Sequence, residues 1–378
     1  MENDAYGTEK ISAFVEIYNK NNCERGRLME KAVLQGERGY VLAAYLADRG
    51  MDYVIEEDIF RLTHINYAFA VIRDGKVVGD HLKNVDKLNR LKEINPKLTT
   101  VISIGGWGAG GFSEAASTPE GRSIFADTAI ELMKAHNFDG IDIDWEYPCS
   151  SAAGIASSPN DKHNFTLMLR ELREKLDKLG QTDSKHYLLT IAAGAGQYFI
   201  DGTEMHIAHQ YLDYVNLMTY DMRGSFEHIT GHHTNLFALA CEPDGISCAK
   251  AVDMFENAGV PAEKMVLGAA FYGRMWKGVD NIHSGLNQRA ETTGRYTLSY
   301  TELVQSYVDK NGFKRYWDDD AKAPYLFNGD AFISYDDEES LRHKARYVKE
   351  RGLAGMMFWE YSLDQTHTLI YTLYKELR

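Results

Sequence analysis

Cysteine is scarce. Four residues, Cys23, Cys149, Cys241 and Cys248, in a chain of 378 are too few for a disulfide framework. At most, Cys241 and Cys248 would close one small loop in an exported protein. They show no metal-ligand spacing with His232 and His233. Those histidines therefore read as loop or groove residues, and neither metal nor cofactor is expected. No run reaches 18 apolar residues, which excludes a membrane-spanning helix. Repeats and low-complexity tracts are absent as well. Basic residues are outnumbered, with 41 Lys and Arg against 55 Asp and Glu, and the formal net charge is −14. That balance argues against nucleic acid or an anionic membrane as a partner. The first residues, Met1-Glu2-Asn3-Asp4, lack the basic-then-apolar pattern of a secretory leader. The expected location is the cytoplasm, or outside the cell with a leader removed.

What the chain does have is apolar and aromatic content, 44% and 12%, with 23 tyrosines. This is enough for a sizeable core and leaves rings over for a binding surface. An amphipathic helix is expected from Ile11, Phe14, Val15 and Tyr18 in a polar extension covering residues 1–38. Eight apolar segments follow: 40–46, 64–70, 99–103, 138–147, 187–193, 214–220, 265–271 and 355–359. Helical patterns separate them at 85–94, 120–136, 161–179 and 249–258, with one more near the C-terminus. Apolar strands alternating with helices predict an α/β fold, a (β/α)₈ TIM barrel. About 80 residues separate the last two strands, far more than such a connection needs. Residues 273–335 are therefore expected to form a small α+β insertion domain between strands 7 and 8, dividing the barrel into 39–272 and 336–378.

The most informative stretch runs Phe138-Asp139-Gly140-Ile141-Asp142-Ile143-Asp144-Trp145-Glu146-Tyr147-Pro148. Its period of two is a strand signal, with Asp142, Asp144 and Glu146 on one face and Ile141, Ile143 and Trp145 on the other. The acidic face is not expected in the core, because three carboxylates within about 14 Å of strand repel each other and resist desolvation. Such a group should share protons and keep one acid protonated near neutrality, as a general acid must be. Glu146, at the strand end, is the most reachable. Asp221, ending another strand, is the candidate second carboxylate, about 5 Å away for retention or roughly 6.5–9.5 Å for inversion. A third reading suits acids clustered on one strand better. The substrate brings its own nucleophile, an N-acetyl carbonyl oxygen, with Asp144 orienting the amide and Glu146 acting as acid and then base. A magnesium or manganese site is the competing class, but no histidine or second acidic cluster completes its ligands.

The segment Asp139-Gly140-Ile141-Asp142-Ile143-Asp144-Trp145-Glu146 resembles the Asp-Gly-x-Asp-x-Asp-x-Glu motif of family 18 glycoside hydrolases, the chitinase family. Ser103-Ile104-Gly105-Gly106-Trp107 is similar to the family's Ser-x-Gly-Gly, and Met218-Thr219-Tyr220-Asp221 to its Met-x-Tyr-Asp. Trp359 stands where the family keeps a tryptophan under the cleavage subsite. Phe271-Tyr272-Gly273-Arg274 before the long insert resembles members with a chitinase insertion domain. The likeness runs from about Tyr40 to the C-terminus and departs from the pattern at Glu360-Tyr361-Ser362-Leu363-Asp364, where the usual double acid is blurred.

The resemblance implies that Glu146 is the proton donor and that Asp144 holds the acetamido group. It implies that Asp142 shares a proton with Asp144 and that Tyr220 hydrogen-bonds the acetamido oxygen. Tyr45, Phe69, Gly106, Trp107, Met218, Asp221, Tyr272, Arg274 and Trp359 would bind substrate, while Asp139, Ser103 and Gly105 would be structural. The implied substrate is an N-acetylglucosamine oligo- or polysaccharide and the implied enzyme a monomeric chitinase. A non-catalytic chitin-binding lectin and an endo-β-N-acetylglucosaminidase on N-glycans are the alternatives.

Overall fold

The computed structural model describes residues 39–239, 242 and 245–378, of which Val41–Leu377 form one compact unit. The helix expected within residues 1–38, and Cys241, lie outside the described residues. Cys248 carries a free thiol.

The strands, in chain order, are β1 (Val41–Ala47), β2 (His64–Arg73), β3 (Lys76–Val78), β4 (Thr99–Gly105), β5 (Gly140–Asp144), β6 (Leu188–Gly194) and β7 (Tyr214–Met218). They continue with β8 (Met265–Ala270), β9 (Tyr272–Trp276), β10 (Tyr296–Ser299), β11 (Lys314–Asp318), β12 (Ala323–Phe327), β13 (Phe332–Ser334) and β14 (Gly355–Trp359). Eight of them pair in parallel in the order β1-β14-β8-β7-β6-β5-β4-β2, and a β1–β2 pairing closes the ring. This is a (β/α)₈ barrel. Strands buried on both faces have no solvent side, so the segments read as apolar runs rather than alternation.

Helices cover the outside, and local chemistry fixes their ends. In Pro119–Ala135 the Thr118 side chain accepts from Gly121 N and proline occupies the first turn, where its missing N–H costs nothing. Phe125, Ala126, Ala129 and Met133 are that helix's buried stripe. The helix Glu338–Arg351 starts from an Asp337 capping box and stops at Gly352, whose φ of 68° suits glycine. No described helix is long and apolar enough to cross a membrane.

The acidic strand is shorter than its alternation suggests. Pairing ends at Asp144, and Trp145 turns away to stack on Phe112 at 5.3 Å and meet Phe165 edge-on at 5.8 Å. Glu146 thus sits just beyond the strand. The turn after β4 closes over this end. Gly106 N donates to Asp144 O at 2.9 Å, and a Cβ on Gly105 would stand 2.1 Å from the same oxygen, so only glycine fits there.

Between β8 and β14 the chain builds a second, antiparallel sheet in the order β10-β9-β13-β12-β11. Trp276, Val279, Ala290, Tyr325, Phe327 and Phe332 form its core. A segment from after β7 runs along it, which the sequence did not reveal: Thr230 N donates to Gln288 O, Leu236 N to Ala321 O and Trp276 Nε1 to Glu227 O.

A buried ion pair ties these layers together. Lys344 Nζ lies 2.6 Å from Asp336 Oδ2, both side chains being essentially inaccessible. The same oxygen accepts from Ala270 N at the end of β8 and from Thr234 in the segment after β7. Lys344→Met should keep the packing but leave Asp336 buried without its cation, lowering unfolding free energy by roughly 3–5 kcal/mol. Urea denaturation tests this, and a loss below about 1 kcal/mol would show that the pair contributes only what a surface pair does.

Candidate active site

The acidic face points into the barrel. Asp142 is 0% exposed, Asp144 4% and Glu146 9%, against the expectation that such a face stays out of the core. The reason is the neighbouring strands, whose inward positions are polar. Tyr45 Oη on β1 and Ser103 Oγ on β4 donate to Asp142 Oδ2 at 3.0 and 2.7 Å. Thr190 Oγ1 on β6 and Asn216 Nδ2 on β7 donate to its Oδ1 at 2.6 and 3.3 Å. Four donors from four strands fill the acceptor capacity of one carboxylate. Burial nevertheless outweighs them and raises the Asp142 pKa.

Asp144 differs. Burial first, then the Glu146 and Asp142 charges, push its pKa well above the usual carboxylate range. Its Oδ1 is buried with no hydrogen-bond partner, a state that costs about 1–3 kcal/mol if left unmet. Glu146 is pushed up to about 7, by burial first and then by the Asp221 charge, against a lowering hydrogen bond from Tyr147. The three carboxyls therefore carry fewer than three charges at neutral pH, and the outermost titrates where an acid–base catalyst should.

Tyr220 lies among these groups. Burial and the charges of Asp144, Glu146 and Asp221 all raise its pKa, and its ring meets Tyr272 edge-on at 6.1 Å. Met218 is buried beneath it in the same cluster. Asp221 is not a free second carboxylate. Arg274, on β9, donates Nε to Oδ1 at 2.6 Å and Nη2 to Oδ2 at 2.5 Å. Although burial raises the Asp221 pKa, His233 and Arg274 outweigh it and hold the group well below the usual range. So weak a base is a poor proton acceptor.

The aromatic residues fall into two groups. Trp359 stacks on Phe69 at 5.6 Å and tilts against Tyr45 at 5.8 Å. Tyr45 and Tyr272, expected on the groove surface, are buried instead, and Tyr45 reaches the site through its hydroxyl. Gly106 makes room for Phe69, whose ring would stand 2.8 Å from a Cβ there. In the second group Trp107 is 55% exposed and lies 6.3 Å from Tyr147 and 6.4 Å from Phe226, with Tyr198 5.0 Å from Tyr147. Ser103, expected to be structural, is the residue whose hydroxyl donates to Asp142 Oδ2. Asp139 lies at the opposite end of β5, accepting from Thr100 N and paired with Lys92 and Lys185.

Sequence reasoning missed Asn216, Thr190, Tyr147, Tyr198 and Phe226. Tyr198 follows the end of β6, so the rule that barrel chemistry sits at C-terminal strand ends would have flagged it. Phe226 carries no such signal.

A carboxyl whose folded pKa is raised binds its proton more tightly when folded. Its stabilising contribution is complete below the ordinary 4.5 and is lost as pH rises through about 7. Glutamine cannot ionise, so between pH 4.5 and 8 Glu146→Gln should lose less stability than the unaltered protein, by about 1–3 kcal/mol. Urea unfolding at both pH values measures this; identical pH dependence would mean an unperturbed carboxyl.

Comparison with known proteins agrees with this geometry. The family described as glycosyl hydrolases family 18 matches residues 41–364. Chitinase A1 of Niallia circulans is 42% identical over 303 residues, covering 76% of this chain and 43% of that protein. Chitinase B of Serratia marcescens is 32% identical over 375 residues, covering 80% and 73%. This chain thus spans less than half the length of the first relative and about three quarters of the second. Among solved structures, a family 18 N-acetylglucosaminidase from Paenibacillus barengoltzii superposes with a TM-score of 0.88 at 54% identity, covering 89% of this chain and 99% of its own. An acidic strand end inside a closed parallel barrel, and a match spanning nearly the whole barrel, lead to one conclusion: the chain belongs to the glycosyl hydrolases family 18.

Proposed function

We propose that the protein hydrolyses β-1,4-linked N-acetylglucosamine polymers or oligomers, chitin and its fragments, by a retaining mechanism in which the substrate supplies the nucleophile. The observation that carries this is Asp144: a buried carboxyl with an oxygen lacking any protein partner, set between Asp142 and Glu146. An acetamido N–H would supply the missing bond. The chitinase relatives support the substrate class.

In the first step the acetamido carbonyl oxygen forms a bond to the anomeric carbon as the glycosidic C–O bond breaks. Glu146, protonated because burial raises its pKa to about 7, gives its proton to the departing oxygen. The positive charge then lies on the cyclic oxazolinium. Asp144 faces it as a carboxylate, its own proton passing to Asp142 as one of the hydroxyl donors there, Tyr45, Ser103 or Thr190, turns its O–H away and frees a lone pair. Glu146, now ionised, removes a proton from water as the water oxygen attacks the anomeric carbon and the bond from that carbon to the acetamido oxygen breaks, its electron pair restoring the neutral amide. Two displacements at one carbon return the starting β configuration. Tyr220 stands among the same charges and would donate to the acetamido oxygen. An acid must face its leaving group, so Tyr147, which follows Glu146 in the chain, and Trp107, 6.3 Å from the Tyr147 ring, would line the leaving-group side, and Trp359 would floor the other.

The second sheet is read as the family's chitinase insertion domain, walling the groove. Support comes from β9, which brings Arg274 onto Asp221 at the site's edge. A purely binding role is less well supported, since binding does not require an acid with a pKa near 7.

Glu146→Gln should lower kcat on a chromogenic N-acetylglucosamine oligomer by about 10²–10⁴-fold while the oligomer still binds in calorimetry. A loss below tenfold would remove Glu146 as the acid. NMR of the first products should show the β anomer, and inverted products would return a second-carboxylate mechanism.

A further inference from the structure

One buried carboxyl group has no part in the steps above. Asp161 opens the helix Asp161–Asp183 and is wholly buried. Its Oδ1 accepts from Ser113 Oγ at 2.6 Å. Its Oδ2 accepts from Ser158 N at 2.7 Å and Cys149 N at 3.3 Å. All three donors are neutral, and the helix N-terminus supplies the favourable field for the charge. An acceptor-only group suits three converging donors.

The donors come from two separate loops on one rim of the barrel, those after β4 and β5. Cys149 and Ser158 are the two ends of the loop that leaves Pro148, two residues beyond Glu146. Ser113 lies in the short helix Phe112–Ala116, directly after the turn that carries Trp107. The two loops also touch. A Cβ on Gly108 would stand 3.7 Å from Ala153 O, and one on Gly110 would stand 3.9 Å from Ile155 Cγ2. The Trp107 turn is held at its base, where Gly106 N donates to Asp144 O and Ala109 N to Gly106 O, but Gly108 and Gly111 beyond it have positive φ, and glycine restricts the backbone least. Nor does core packing hold a ring that is 55% exposed. What the bonds at the base leave open is the far end of the turn, which leads into the helix that carries Ser113.

We propose that Asp161 is a positioning residue. By pinning both ends of the loop 149–158 and the helix after the Trp107 turn, it fixes the separation of Trp107 and Tyr147. It thereby sets how well the leaving-group sugars are held. This rests on the hydrolase reading above. A small aryl leaving group does not need that wall, whereas a sugar leaving group does.

The test compares the N-acetylglucosamine tetramer with the 4-nitrophenyl glycoside of the dimer. Ser113→Ala cuts only the link to the Trp107 turn. It should raise KM for the tetramer about 3- to 10-fold, the range of one hydrogen bond, and leave kcat and the aryl substrate within about twofold. Asp161→Ala should show the same split more strongly, and Asp161→Asn, which keeps an acceptor, should recover part of it. Equal losses on both substrates, or an unchanged KM for the tetramer in Ser113→Ala, would overturn the proposal. Should Asp161→Ala fail to fold, Ser113→Ala decides alone. If the unaltered protein hydrolyses neither substrate, the hydrolase reading fails. The clamp is then judged by tetramer quenching of tryptophan fluorescence, where undiminished binding by Ser113→Ala overturns it.

Discussion

Three carboxyl groups inside a barrel are the constraint on which the rest depends. Desolvation alone would make such a face unfoldable if every group were charged. The chain meets this in two ways. Asp142 is surrounded by Tyr45, Ser103, Thr190 and Asn216, so that strands far apart in sequence contribute to a single side chain. Asp144 and Glu146 are left underprovided, and their proton affinities rise accordingly. The same arrangement that burdens folding keeps a proton on the site near neutrality.

The sequence made the barrel legible because each strand is a buried apolar run bounded by a helical pattern. The helix Val85–Ile94 and the strand Gly355–Trp359 fall where periodicity puts them. The acidic positions were legible because nothing in ordinary packing calls for Asp-x-Asp-x-Glu on a strand. What escaped was everything dependent on contact between distant segments. Thr190 and Asn216 are unremarkable polar residues until β6 and β7 are placed beside β5. Asp221 read as a free carboxylate because Arg274 is 53 residues away. Burial of the acidic face was misjudged for the same cause, since its donors were invisible one strand at a time.

The second sheet bears on the site electrostatically. Arg274 neutralises Asp221, and Asp221 is one of the charges acting on Glu146. His233 stands behind Asp221, its Nδ1 accepting from Asp221 N at 3.3 Å. The proton affinity of the outermost acid is thus set partly by a strand that is not in the barrel.

Only Phe271 separates β8 from β9. Its ring stacks on Phe358 at 4.0 Å, its N–H donates to Trp359 O and its carbonyl accepts from Tyr300 N. A joint one residue long, bonded on every side, cannot absorb insertions or deletions. Evolutionary change in this protein should therefore be unevenly permitted. Lengthening or shortening belongs at the exposed turns of the second sheet, around residues 280–283, 319–320 and 328–330. Family members can diverge in the reach of that sheet while its root stays fixed, and libraries of length variants in this sheet would be best confined to those tips.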